Sequence, residues 1–232
     1  MAPRELRLLR ARRAVTLGIP IALHLVLGCR STGLASATPN EVVAQARLLL
    51  EQGKGEKAAN FIRHNRTLAP ENAGAANALR ALIEDTREVV RTADRNARSD
   101  GARILLCTAR LRLRDEEPIV ETTQSGSEKE PVRHQEPRVT PPEKLYGPTP
   151  RMPDIVLRHR YAAAVETQLI IDKEGCVTRV RPIVDQDYST DRAYGLVEIA
   201  VETMFSWVFR PALLDNEPVA VYWNTTTSYR FQ

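Results

Sequence analysis

The sequence predicts an α+β protein, and three features carry that prediction. Residues 38–114 hold apolar stripes at three- and four-residue spacing, residues 115–150 are rich in proline and acid, and residues 151–232 read in the order strand, strand, helix, strand. The expected architecture is an α-helical hairpin region, a disordered Pro-rich linker, and a small antiparallel three-stranded sheet with one packed helix. Residues 1–29 stand apart as a signal peptide or membrane anchor.

The 232-residue chain carries a formal charge of +4, and Arg4, Arg7, Arg10, Arg12 and Arg13 against Glu5 account for it, leaving 28 basic and 28 acidic side chains in the remainder. Nucleic-acid binding needs a basic face on the folded part, so no nucleic-acid partner is expected. The Arg-rich head is followed by an apolar run from Ala14 to Gly28 and then Cys29. Fifteen positions, Pro20 and His24 among them, fall short of the ~20 residues of a spanning helix and fit the apolar core of an export signal better. Leu25-Val26-Leu27-Gly28-Cys29 resembles the lipobox of bacterial lipoproteins, which makes Cys29 the expected lipid attachment site, although Leu27 replaces the smaller residue usual there. An uncleaved anchor extended toward Ala37 across Arg30 is the alternative. Cys107 and Cys176 then remain, in different predicted regions. An oxidising compartment permits a bridge between them. Spacing alone does not bring their Cα atoms together, so two buried free thiols are the expected state.

Thr38-Pro39-Asn40-Glu41 is a capping box with proline at the first helical position, and Val42, Val43, Ala46, Leu49 and Leu50 give the helix it opens one apolar face. Gly53-Lys54-Gly55 breaks it, and a second helix runs from Glu56 to about Arg66, stopped before Pro70. Ala46, Ala58, Ile62 and Pro70 stand at the spacing of a tetratricopeptide-type hairpin, with Leu49 at its aromatic position; a generic helical hairpin fits equally. A third helix is expected from about Asn72 to Ala93. After the polar interval Asp94–Gly101, residues 102–114 are read as a fourth helix, although Leu111 and Leu113 alternate with arginine as in an edge strand. Only another helix would cover the faces of the first three.

Seven of the 15 prolines fall in residues 115–150, with eight acidic and four basic side chains and almost no large apolar ones. Such a segment cannot offset its ordering entropy by burial and is expected to be an extended linker that supplies reach.

Beyond it, Ala164–Ile171 reads as a strand, Asp172-Lys173-Glu174-Gly175 as a turn whose last residue needs positive φ, and Cys176–Val184 as the hairpin partner, frayed by Pro182. Leu196, Val197, Ala200, Val201 and Met204 mark a helix. Trp207 to Pro218 is a loop and turn, and from Val219 every odd position (Val219, Val221, Trp223, Thr225, Thr227, Tyr229, Phe231) is apolar, β-branched or aromatic. That period of two predicts a strand of about 40 Å, longer than its partners can cover. Val219–Trp223 is expected to pair internally, the later residues to overhang.

The order and residues, from about Val132 to Phe231, strongly resemble the C-terminal domain of the TonB energy-transducer family. The match takes in Pro141, Leu145, Pro153, Ile171 to Val177, Ala200, Trp207, Phe209, Pro211, Ala212, Pro218, Val219 and Phe231. Ala163 and Ala164 replace the usual glycine, and Asn216, which tolerates left-handed backbone, stands where glycine commonly precedes the last strand. The resemblance implies a periplasm-facing domain of the bacterial cell envelope that grips an extended segment of an outer-membrane receptor or other envelope protein, added beside its last strand. The odd residues Val219 to Phe231 then belong to the partner-binding strand. Proline at Thr225 or Thr227 is expected to weaken capture and spare the hairpin. A membrane link through the N-terminal lipid or anchor, and a possible homodimer, complete the expected partners. A structural lipoprotein using the same domain as a scaffold, without energy transduction, is the second reading.

No catalytic constellation stands out. His24, His64, His134 and His159 are scattered, no cysteine pairing suggests zinc, and Asp185, Asp187 and Asp191 lack the glycine and distal glutamate of a calcium loop. The expectation is a binding protein, not an enzyme, with no cofactor and no metal.

Overall fold

The computed structural model describes residues 37–69, 71–92, 97–114, 131–133, 138–183, 190 and 194–230. The signal or anchor, Cys29, Phe231 and the three aspartates of the 185–191 loop lie outside these residues. No helix among the described residues is long and apolar enough to cross a membrane.

Four helices build the first half: α1 Pro39–Glu51, α2 Gly55–His64, α3 Ala75–Thr92 and α4 Ala97–Arg114. The capping box is present, with the Thr38 amide donating to Glu41 at 2.7 Å and the Glu41 amide donating to Thr38 Oγ1 at 3.3 Å. The backbone bond from Thr38, reinforced by its hydroxyl, holds the Glu41 carboxyl below the usual carboxylate range. Val42, Ala46, Ala58, Ile62, Leu79, Leu82, Leu105 and Leu106 converge in one apolar core. The fourth helix begins before the predicted position, because Gly101 is a packing residue and not a break. A Cβ on Gly55 would stand 2.4 Å from the Gly101 backbone, so α2 and α4 touch main chain to main chain. Gly55→Ala is therefore expected to force the helices apart and cost about 3 kcal/mol. Gly101→Ala, whose Cβ would lie 3.1 Å from Gly55 Cα, costs less. Denaturant midpoints of the two variants check the order.

The second half is α+β. A four-stranded sheet runs in the order β1 (Val132–Arg133), β9 (Val221–Tyr229), β4 (Ala163–Ile171), β5 (Val177–Pro182). Its three long strands are antiparallel, and the two-residue β1 joins β9 in parallel. Helix α6, Leu196–Phe205, buries Leu196, Val197, Ala200 and Met204 in a core with Val165, Leu169 and Ile171 of β4. The short helix α5, Asp154–His159, adds Val156. Two smaller sheets follow, β2 (Val139–Thr140) with β7 (Ala212–Leu214) and β8 (Glu217–Val219), and β3 (Glu143–Tyr146) with β6 (Val208–Arg210). Asp215 and Asn216, both at positive φ, form the β7–β8 turn, so asparagine does take the left-handed conformation there.

Three expectations are corrected. The sheet gains a fourth strand, and the described part of the predicted linker is structured: residues 132–133, 139–140 and 143–146 are strands. These strands need few large side chains because they satisfy their backbone against β9, β7 and β6.

The third correction is the state of the cysteines. Cys107 of α4 and Cys176 beside the β4–β5 turn form a disulfide, with Cα atoms 5.3 Å apart. Helical and strand regions form one compact unit, and Cys176 and Val208 pack into the helical core itself. Around the bridge, arginines of two helices clamp the turn. Arg110 reaches Asp172 at 2.6 Å and Glu174 at 2.7 Å, Arg87 Nε reaches Glu174 at 2.5 Å, and Arg103 donates to the Glu174 carbonyl. The bond to Glu174 keeps the Arg87 guanidinium protonated beyond its ordinary range. Arg210 of β6 holds Asp100 of α4 at 2.6 Å and also reaches Glu143; the Asp100 bond is the larger cause of its raised pKa. Sequence distance kept these groups apart on paper; the seam joins them.

Candidate functional site

Strand β9 is nine residues long because Val221 to Tyr229 alternates, with β-branched and aromatic side chains suited to a half-buried sheet surface. It pairs with β4 along its whole length, from Val221 opposite Ile171 to Tyr229 opposite Ala163. The expected overhang does not exist on that side: β4 is as long as β9, and the Thr225–Tyr229 end is covered.

The odd side chains face the core. Val221 is fully buried, Thr227 and Tyr229 are buried, and Trp223 packs against the same cluster. The Tyr229 hydroxyl donates to the Leu196 carbonyl of α6 at 3.0 Å. Val219 lies in β8, opposite Ala212, and not in the last strand. Of the predicted partner-binding residues, Val221, Thr227 and Tyr229 are buried, Val219 and Trp223 pack half-buried against the core, and Thr225 is half-buried; Phe231 lies outside the described residues.

What the structure leaves open is the backbone edge on the far side from β4. Peptide groups alternate direction along a strand, and the Ala220 carbonyl, which accepts from the Val132 amide of β1 at 2.9 Å, fixes the parity. Even residues of β9 point away from β4. Among the described residues, strand β1 covers this edge at Val221 and Tyr222. From Asn224 to Ser228 no strand among the described residues pairs there, so the outward amides and carbonyls of Asn224, Thr226 and Ser228 have no strand partner among those residues, and their side chains are exposed. Sequence reasoning missed these three. The odd stripe identifies the buried face, but the side on which β4 lies, which decides the open peptide groups, is a matter of topology.

The open edge is uncharged: Val221–Tyr229 contains no Asp, Glu, Lys or Arg. Natural edge strands are commonly blocked by such charges or by proline, and neither is present. On the polar face, Gln168 Nε2 donates to Asn224 Oδ1 at 3.2 Å and Arg181 donates to Gln168, which fixes the β9 backbone against β4 and β5. Proline at Thr225 or Thr227 would remove amides that point to β4, the first strand of the hairpin, so such variants do not test the edge alone; Thr226 is the position that does.

No group of His, Cys, Asp or Glu among the described residues is placed to hold a metal ion. No family model matches the chain, and no curated protein matches it.

Proposed function

We propose that the chain is a cell-envelope protein with a TonB-type C-terminal domain, which captures an extended segment of a partner by strand addition to the outer edge of β9. The observation that carries this is the uncharged edge from Asn224 to Ser228, which no strand among the described residues pairs, continuous with a position where the chain's own β1 already pairs in register. Three outward residues offer about six main-chain hydrogen bonds, the source of affinity in β-augmentation. The Cys107–Cys176 bridge supports an oxidising compartment and so the periplasm-facing reading. The arrangement of two antiparallel strands, a packed helix and a closing strand supports the family resemblance, as does Asn216 at positive φ. The partner is read as an outer-membrane receptor or another envelope protein.

Amide hydrogen exchange tests the edge. In the isolated chain Asn224, Thr226 and Ser228 are expected to exchange fast while Thr225 and Thr227 are protected, and partner binding should close the difference. Slow exchange at all five in the isolated chain at low concentration would remove the edge from the mechanism. Protection that rises with protein concentration identifies a second copy as the occupant. For capture itself, a photoreactive group at Ser228 in intact envelopes should give an adduct with an outer-membrane protein. Thr226→Pro, which deletes an outward amide only, should abolish that adduct at a stability cost of about 1 kcal/mol. An undiminished adduct from a folded Thr226→Pro protein would sink the proposal.

A further inference from the structure

A cleft of about 720 Å³ opens along the seam between helices and turn, walled by α3, α4 and Lys173. Arg87, Arg91, Arg103, Arg110 and Lys173 line it against two carboxylates, Asp172 and Glu174, a net lining charge of +3. The clamp uses only part of this donor capacity. Arg110 commits Nη1 alone, to Asp172 and Glu174, and its Nε and Nη2 make no hydrogen bond among the described residues. Arg87 commits Nε to Glu174 and Nη1 to Glu84, and its Nη2 makes no hydrogen bond among the described residues. Lys173 Nζ has no hydrogen bond or ion pair among the described residues. Among the described residues Arg91 is tied only to Glu88, in a solvent-exposed pair at 3.3 Å.

We propose that this cleft binds a small phosphate-bearing polyanion. The guanidiniums of Arg87 and Arg110 are already fixed by Glu174, so their remaining N–H groups are pre-organised forks, and little ordering entropy is lost when an oxyanion takes them. The volume falls in the range of small-molecule sites and far exceeds one phosphate group. A lining charge of +3 calls for a ligand with two or more negative charges. Val90 and Pro218 supply the apolar wall, and no aromatic side chain lines the cleft, which disfavours a stacked base. This site lies on the helical seam and does not depend on the β9 edge being a binding surface.

Pyrophosphate titrated into the full chain in detergent, followed by calorimetry, tests the assignment. Saturable binding is expected, weakened by salt. Lys173→Ala/Arg91→Ala removes two cations that take no part in the clamp or the disulfide, so the ligand-free thermal midpoint should stay put while affinity falls about a hundredfold, tenfold for each charged contact. Arg138→Ala/Arg179→Ala, which removes two exposed cations elsewhere, should leave affinity within about twofold. Absence of binding at millimolar pyrophosphate, or equal losses in the two double variants, overturns the site. Citrate binding as tightly as pyrophosphate overturns the phosphate assignment.

Discussion

Gly175→Ala is expected to destabilise the folded chain by about 4 kcal/mol and to lower its thermal midpoint by roughly 10 °C. Gly175 sits at φ +90°, where an L side chain is strained, and a Cβ there would stand 1.9 Å from the Phe209 carbonyl oxygen and 3.0 Å from Arg103 Cδ. The turn cannot relax outward cheaply. The Phe209 amide donates to the Gly175 carbonyl at 2.9 Å, Asp172 Oδ1 accepts from the Glu174 and Cys176 amides, and Cys176 is bonded to α4. Gly53→Ala is the control. Gly53 has φ +73° with no atom within 4 Å of the added Cβ, so it isolates the conformational cost, about 1 kcal/mol. The difference between the two variants measures the close approach at Phe209. Equal losses would mean that the contact contributes nothing.

The sequence signals that succeeded here are local. Thr38 and Glu41 mark a helix start because a capping box needs only four consecutive residues, and the 3.6-residue stripe of α3 or the two-residue alternation of β9 states which face is buried. Gly175 is legible for the same reason, as the last residue of a tight turn. The failures are tertiary. Gly101 looks like a break in sequence and proves to be the point where α4 meets α2. Strands β1 to β3 lie in a proline-rich, acidic segment because their stabilisation is backbone pairing, with Val139 the one buried residue of β2, and composition carries no record of that.

The edge and the seam were hidden in different ways. A period of two distinguishes inward from outward side chains but says nothing about left and right, so Asn224, Thr226 and Ser228 could be placed on the polar face and not on an open edge. At the seam, Arg87, Arg103 and Arg110 read as an ordinary solvated helix surface, and Asp172 and Glu174 as an ordinary polar turn. Only the packing of one on the other turns them into a clamp, and the clamp in turn brings Cys107 to Cys176.

Replacing both Cys107 and Cys176 by alanine is expected to destabilise the chain by about 4 kcal/mol, because the bridge closes a loop of sequence separation 69 and the unfolded chain regains that freedom. Alanine suits both sites better than serine, since the two residues are buried in the helical core and a hydroxyl would be left without a partner. The helical and strand regions should stay docked. Glu174 keeps its bonds to Arg87 and Arg110, with all three side chains less than a third exposed, and Arg210 keeps Asp100. The bridge and the clamp fasten the same seam, so their contributions are not additive. With the covalent tie gone, a larger share of the docking rests on charge, and the double variant should lose more stability than the parent chain between low and 1 M salt, where screening shortens to about 3 Å. Denaturant unfolding of both proteins at the two salt concentrations reads this directly. Alkylation of the unfolded, unreduced parent followed by peptide mass mapping supplies the second arm: Cys107 and Cys176 should remain unlabelled until a reductant is added. Labelling of either one before reduction, or a double variant as stable as the parent, would return the pair to the free thiols that spacing alone suggested and leave the seam to the arginine clamp, the Arg210–Asp100 pair and the packing of Val208 in the helical core.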